Sequence, residues 1–106
     1  MSRVEIHQHG QTINLEATDP MVEALSVTMQ LGLSKHNGIV IDGLVDNAPN
    51  SRENESMSLW VSSTAHVKFI FQPRTDPEET KRHVDVMTAS LERGGRIHFS
   101  SSGPRR

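Results

Sequence analysis

The side chains in this 106-residue sequence that could hold a transition metal through nitrogen are its six histidines, because it contains no cysteine. Two of them stand two apart in Val4-Glu5-Ile6-His7-Gln8-His9-Gly10. Such spacing on one extended strand would place two imidazoles on the same face, as a zinc or nickel site requires. The surrounding residues favour a different arrangement. With His9-Gly10 as a two-residue turn, Ile6 opposes Ile13, Val4 opposes Leu15, His7 opposes Thr12 and Glu5 opposes Asn14. Every apolar residue then lies on one face and every polar one on the other, as a half-buried hairpin demands. Glycine tolerates the positive φ of such a turn, and His does so better than most residues. This separates His7, which stands off the sheet, from His9 at the tip. His66 and His98 alternate out of phase with their apolar neighbours. The metal alternative is therefore His7, His66 and His98 converging on a sheet face. His36 falls in a loop and His83 on the wet side of a helix.

Other chemistry lacks a frame. Serines are plentiful (Ser56, Ser58, Ser62, Ser63, Ser100, Ser101 and Ser102 among them), yet none sits in a Gly-x-Ser-x-Gly elbow. Asp42 and Asp46 flank a strand exit without the regular spacing of a calcium loop. Both predicted helices begin Asp-Pro, which removes one amide donor and sets a carboxylate where a phosphate would sit. The expectation is a protein without enzymatic activity or cofactor.

Thr18-Asp19-Pro20 predicts a helix start, with Asp19 as cap and Pro20 at the first helical position. Val22, Leu25 and Met29, widened by Met21, Ala24, Val27 and Leu31, give that helix a broad apolar stripe. So wide a surface implies deep packing or contact with a second subunit, and Gly32 is expected to begin the helix end. Ile39-Val40-Ile41 is apolar on both faces, as an interior strand is. Residues 43–57 form a long polar loop. Leu59-Trp60-Val61 and Val67-Lys68-Phe69-Ile70-Phe71 then predict a second hairpin. Thr75-Asp76-Pro77 starts a second helix with Glu78 and Glu79 in its first turn and a narrow stripe at Thr80, Val84, Met87 and Leu91. Gly94-Gly95 stops it before a last strand, Arg96-Ile97-His98-Phe99.

The two Thr-Asp-Pro segments are 57 residues apart, and each half runs hairpin, helix, glycine, strand. The predicted organisation is a single α+β domain over 1–106, with pseudo-halves 1–42 and 58–99, a linking loop 43–57 and a basic tail 100–106. The ββαβ-like halves are expected to form one mostly antiparallel sheet of about six strands. Both helices lie on one face, a ferredoxin-like or split-βαβ relative.

Apolar residues make up 34% of the sequence, and no apolar run approaches the ~20 residues that span a bilayer. Residues 1–53 carry three Lys or Arg against seven Asp or Glu, and residues 54–106 carry eight against six. An acidic first half and four aromatics in strand-like patterns argue against nucleic acid. The absence of cysteine and of a leader-like start predicts a cytoplasmic protein without a membrane partner.

Trp60 alternates with Leu59 and Val61, so it is predicted on the open sheet face together with Ile70, where exposed tryptophans act as interface anchors. The functional expectation is a non-catalytic, self-associating protein-binding module: a regulator, an inhibitor (phage-type anti-defence proteins among them) or an accessory subunit. Its predicted contact residues are Trp60 and Ile70, with Asp46, Asn47, Asn50, Arg52 and Glu53 from the loop. A small-ligand sensor with a pocket between subunits and a histidine-based metal or hydrolytic site are the alternatives.

Overall fold

A computed structural model describes residues 2–35, 37–45 and 56–99. The predicted contact residues Asp46, Asn47, Asn50, Arg52 and Glu53, and also His36, lie outside the described residues. In chain order the elements are β1 (Ser2–Gln8), β2 (Gln11–Ala17), α1 (Asp19–Lys35), β3 (Gly38–Val45), β4 (Ser56–Ser62), β5 (His66–Ile70), α2 (Pro77–Gly94) and β6 (Arg96–His98).

The first hairpin forms in the predicted register, with Val4 opposite Leu15, Ile6 opposite Ile13 and His7 opposite Thr12. His9 and Gly10 make the turn at φ 53° and 74°. Val4, Ile6, Leu15 and Ala17 are buried on its inner face.

The class is α+β, but the strands do not build one six-stranded sheet. They form two sheets of three: sheet A in the order β2-β1-β5, and sheet B in the order β4-β3-β6. The ferredoxin-like reading depended on the single sheet, which is not formed. The predicted second hairpin is likewise replaced. Its two strands are present, but β5 pairs antiparallel with β1, Ile6 opposite Val67 and Val4 opposite Phe69. β4 pairs antiparallel with β3, Ile39 opposite Val61 and Ile41 opposite Leu59. The short turn at residues 62–65, closed by Ala65 N–H on Ser62 C=O at 3.0 Å, carries the chain from one sheet to the other. Pairing with β1 and β3 sets Val67, Phe69, Leu59 and Val61 against strands that already carry core residues, and a hairpin of the two strands alone would not.

α1 accounts for the shared core. Pro20, Met21, Val22, Ala24, Leu25, Thr28, Met29 and Gly32 are all buried along it. One side meets β1, β5 and β3, and another meets α2, so most of the wide stripe is buried within the chain, while Val27 and Leu31 at its margin stay exposed. Thr80 Oγ1 reaches Glu23 Oε1, Thr28 Oγ1 lies 3.8 Å from Met87 Sδ, and Gly32 faces Leu91. These pairs climb both helices together, so α1 and α2 run parallel, as do β3 and β6. Gly32 does not begin the helix end. The helix continues to Lys35, and a β-carbon at 32 would lie 3.0 Å from Ile39 Cγ2 and 3.2 Å from Leu91 Cδ2. Its lack of a side chain allows the helix crossing.

Asp19 also departs from its predicted role. Its carboxylate accepts from Ser2 Oγ and from Gln72 N–H, tying the start of β1 and the exit of β5 to the base of α1. Asp76 does cap its helix, accepting from Glu79 N–H at 3.2 Å, and Gly95 closes the other end at φ 72° with its N–H on Leu91 C=O. No helix among the described residues is long and apolar enough to cross a membrane.

Candidate functional site

Pleating decides what sheet B shows to solvent. Ile39, Ile41, Val61 and Ile97 point inward and are fully buried, and Phe99 is buried just beyond β6. The alternate residues of all three strands must point outward. Register lines them up in rows: Ser62 beside Gly38, and Trp60 beside Val40 beside Arg96. Asp42 then stands beside His98 and accepts from Ser58 Oγ at 2.7 Å. Trp60 is 53% exposed at the β4 end of the middle row.

The indole is seated by a glycine. A β-carbon at position 38 would lie 2.6 Å from Trp60 Cη2 and 2.8 Å from the Val61 carbonyl oxygen. The benzo edge of the ring therefore occupies the space that a side chain at 38 would need. Beside it, Arg96 Nη1 donates to both oxygens of Asp42, at 3.0 and 3.2 Å. The Ser58 hydroxyl, with the Arg96 guanidinium, holds the Asp42 carboxyl below the usual aspartate range. At Asp42-Gly43 the β3–β4 ladder shifts register, and Gly43 takes φ 82°. The His98 ring occupies the space that a side chain at 43 would fill.

The free edge of β4 is partly closed by Gln8, which the sequence did not single out. Its Nε2 donates to Trp60 C=O at 2.7 Å, and its Oε1 accepts from Ser62 N–H at 3.0 Å. The carboxamide thus takes the place of a peptide group on a neighbouring strand and stitches sheet A to sheet B.

Ile70 does not join Trp60. It lies on the outer face of sheet A opposite Arg3, because β5 belongs to the other sheet. That face is polar: Asn14, Glu5 and Lys68 form one row, and Thr12, His7 and His66 another. The histidines are brought together only in part. His7 and His66 are cross-strand partners with ring centroids 5.8 Å apart. His98 is in sheet B, lining a cleft of about 350 Å³ with Met21, Glu79, Arg82, His83, Val86 and Met87. His83 is half-buried there rather than on a wet face, held by Glu79 at 3.2 Å. Among the described residues, no three His, Asp or Glu side chains form a group that could hold a metal ion.

The phase of Trp60 was legible in the sequence, but Arg96 and Ser58 were not. Their meeting at Asp42 depends on β6 and β4 both pairing with β3. The chain matches no protein-family model, and no curated protein or solved structure matches it.

Gly38→Ala is expected to drive the indole off its seat, destabilising the fold by about 1–3 kcal/mol through overpacking. Urea unfolding followed by tryptophan emission checks both parts, since Trp60 is the sole tryptophan. Unchanged emission and stability would place the ring elsewhere. Asp42 gives a pH signature. A lowered native pKa adds stability that is complete above the ordinary aspartate value of about 3.9 and is lost as pH falls through the native value. Asp42→Asn should therefore shrink the drop in melting temperature between pH 7 and pH 3. The effect at neutral pH is about 0.2–1 kcal/mol for so accessible an ion pair. An identical melting profile in the variant would remove the Asp42 cluster from the account.

Proposed function

We propose that this chain is a non-catalytic protein-binding module whose contact surface is the outer face of sheet B around Trp60. The observation that carries this reading is a large indole held open to solvent on the outer face of sheet B, on the edge strand β4 beside Val40, with Arg96 on the far side of Val40. Tryptophan and arginine are the side chains that most often dominate interface energetics, because they combine large desolvated area with directed polar groups. Ser58, Asp42 and His98 supply a polar border beside them. Gln8 already occupies the β4 edge next to Trp60, so the reading places a partner on the face rather than along that edge.

The module is taken to self-associate through this face and to act as a regulator, inhibitor or accessory subunit of a larger assembly. A chain without cysteine suits the cytoplasm.

Size-exclusion chromatography with light scattering tests this directly. The full chain should run as a dimer at micromolar concentration. Trp60→Ala should weaken association by roughly 30-fold or more, the loss of an interface anchor worth at least ~2 kcal/mol. Its urea midpoint should stay close to that of the parent, because the indole is half exposed. A parent chain that is monomeric at all concentrations, with a folded Trp60→Ala variant that retains every partner captured by the parent, would overturn the reading.

A further inference from the structure

The antiparallel pairing of β1 with β5 sets His7 directly opposite His66 on the outer face of sheet A. We propose that these two imidazoles form a bidentate clip for a borderline divalent metal ion: zinc, nickel or copper(II). The site is separate from the Trp60 surface, which lies on the other sheet.

Distance is the first support. A metal ion sits about 2.0–2.1 Å from each imidazole nitrogen, hence roughly 3.2 Å from each ring centre. Two rings sharing one ion at angles from tetrahedral to about 130° then have centres about 5.2–5.8 Å apart. The observed separation is 5.8 Å, with ring planes inclined at 53°. Both rings can close on one ion by small side-chain rotations, without any change in the ladder beneath them.

Orientation is the second. The Nδ1 atom of His7 lies 2.9 Å from Thr12 Oγ1, its cross-strand neighbour on β2. In the tautomer in which Nδ1–H donates to that hydroxyl, Nε2 keeps its lone pair free, the outer-sphere arrangement common around histidine ligands. Electrostatics is the third. Glu5 Oε1 lies 3.8 Å from that same Nε2. The Glu5 carboxylate also accepts from Arg3 Nε at 2.8 Å, so an anionic group stands beside the place a cation would take.

Access is the fourth. An open recess of about 420 Å³ at the tip of the first hairpin adjoins the His7 side of the pair, lined by His7, Gln8, Thr12 and Thr64 among others, and leaves room for the remaining ligands. The protein supplies two firm donors and leaves the other positions to water or to a donor group from solution. Such a site suits a metal carried in or shared with another molecule, since a closed structural centre would need four protein ligands.

The test uses the untagged full chain, titrated with ZnCl2 or NiCl2 and followed by isothermal calorimetry and by histidine ring signals in NMR spectra. One ion per chain should bind, perturbing His7 and His66 and leaving His83 and His98 unmoved. His7→Ala and His66→Ala should each lose at least tenfold in affinity, and the double variant should lose binding altogether. Thr12→Val, which keeps both ligands, should weaken binding by about tenfold through loss of the orienting hydrogen bond. His66→Gln preserves side-chain polarity and guards against a folding artefact; its circular dichroism should match the parent while affinity falls. Acidification should release the ion as protons compete for the imidazole lone pairs. No saturable binding at millimolar metal, or binding that survives in the double variant, would overturn the proposal.

Discussion

Everything in this fold depends on the burial of α1. Its apolar residues cover too much of the helix circumference for one neighbour to remove them from water. Most of them are buried by the inner faces of both sheets on one side and by α2 on the other, leaving Val27 and Leu31 exposed. Each fully buried Val, Leu, Ile or Met side chain contributes about 1.5–3 kcal/mol, and Val22, Leu25 and Met29 are at most 1% exposed. The polar groups at the same helix reinforce the arrangement. Asp19 holds Ser2 and the amide of Gln72, and Glu23 accepts from the amide of Arg74 and from Thr80 Oγ1. One helix from the first half therefore fixes where the second half begins.

That arrangement determines which surfaces are free. Because α1 takes the inner faces of both sheets, their outer faces are left to solvent, and the two differ in kind. Sheet A presents charged and polar rows beside a histidine pair. Sheet B presents an indole on a glycine seat, an aliphatic neighbour and an arginine–aspartate–serine cluster. Gln8 links the two sheets with a side-chain amide where a continuous sheet would use a strand. The outer faces thus meet at a seam held by two hydrogen bonds.

What the sequence disclosed was local. The first hairpin was fully legible, because register, turn and face assignment all follow from residues 4–15 in one another's company. The helix starts, the glycine stop before β6, the interior character of Ile39-Val40-Ile41 and the outward phase of Trp60 were legible for the same reason. Strand partnership was not. Alternation in Val67-Lys68-Phe69 says that one face is buried but does not name the strand beside it, so a short turn implied a hairpin where the chain changes sheets. Ile70 was consequently placed beside Trp60, although it lies on the outer face of the other sheet. The role of Gly32 was hidden in the same way, since a glycine near a helix end resembles a stop until Leu91 and Ile39 are seen against it. The outward phase of the three candidate metal histidines follows from alternation, but only topology could show that His7 meets His66 while His98 faces a cleft with His83.

The central claim is that an apolar aromatic anchor lies on an open sheet face while the core is completed without it. Acrylamide quenching of the intrinsic fluorescence addresses this most directly, because Trp60 is the sole tryptophan and the chain has no tyrosine. In the folded protein, diluted enough to be monomeric, the account predicts emission of a partly hydrated indole, quenched at a rate close to that in urea. Blue-shifted emission that resists quenching in the folded monomer would put Trp60 in the core and contradict the account.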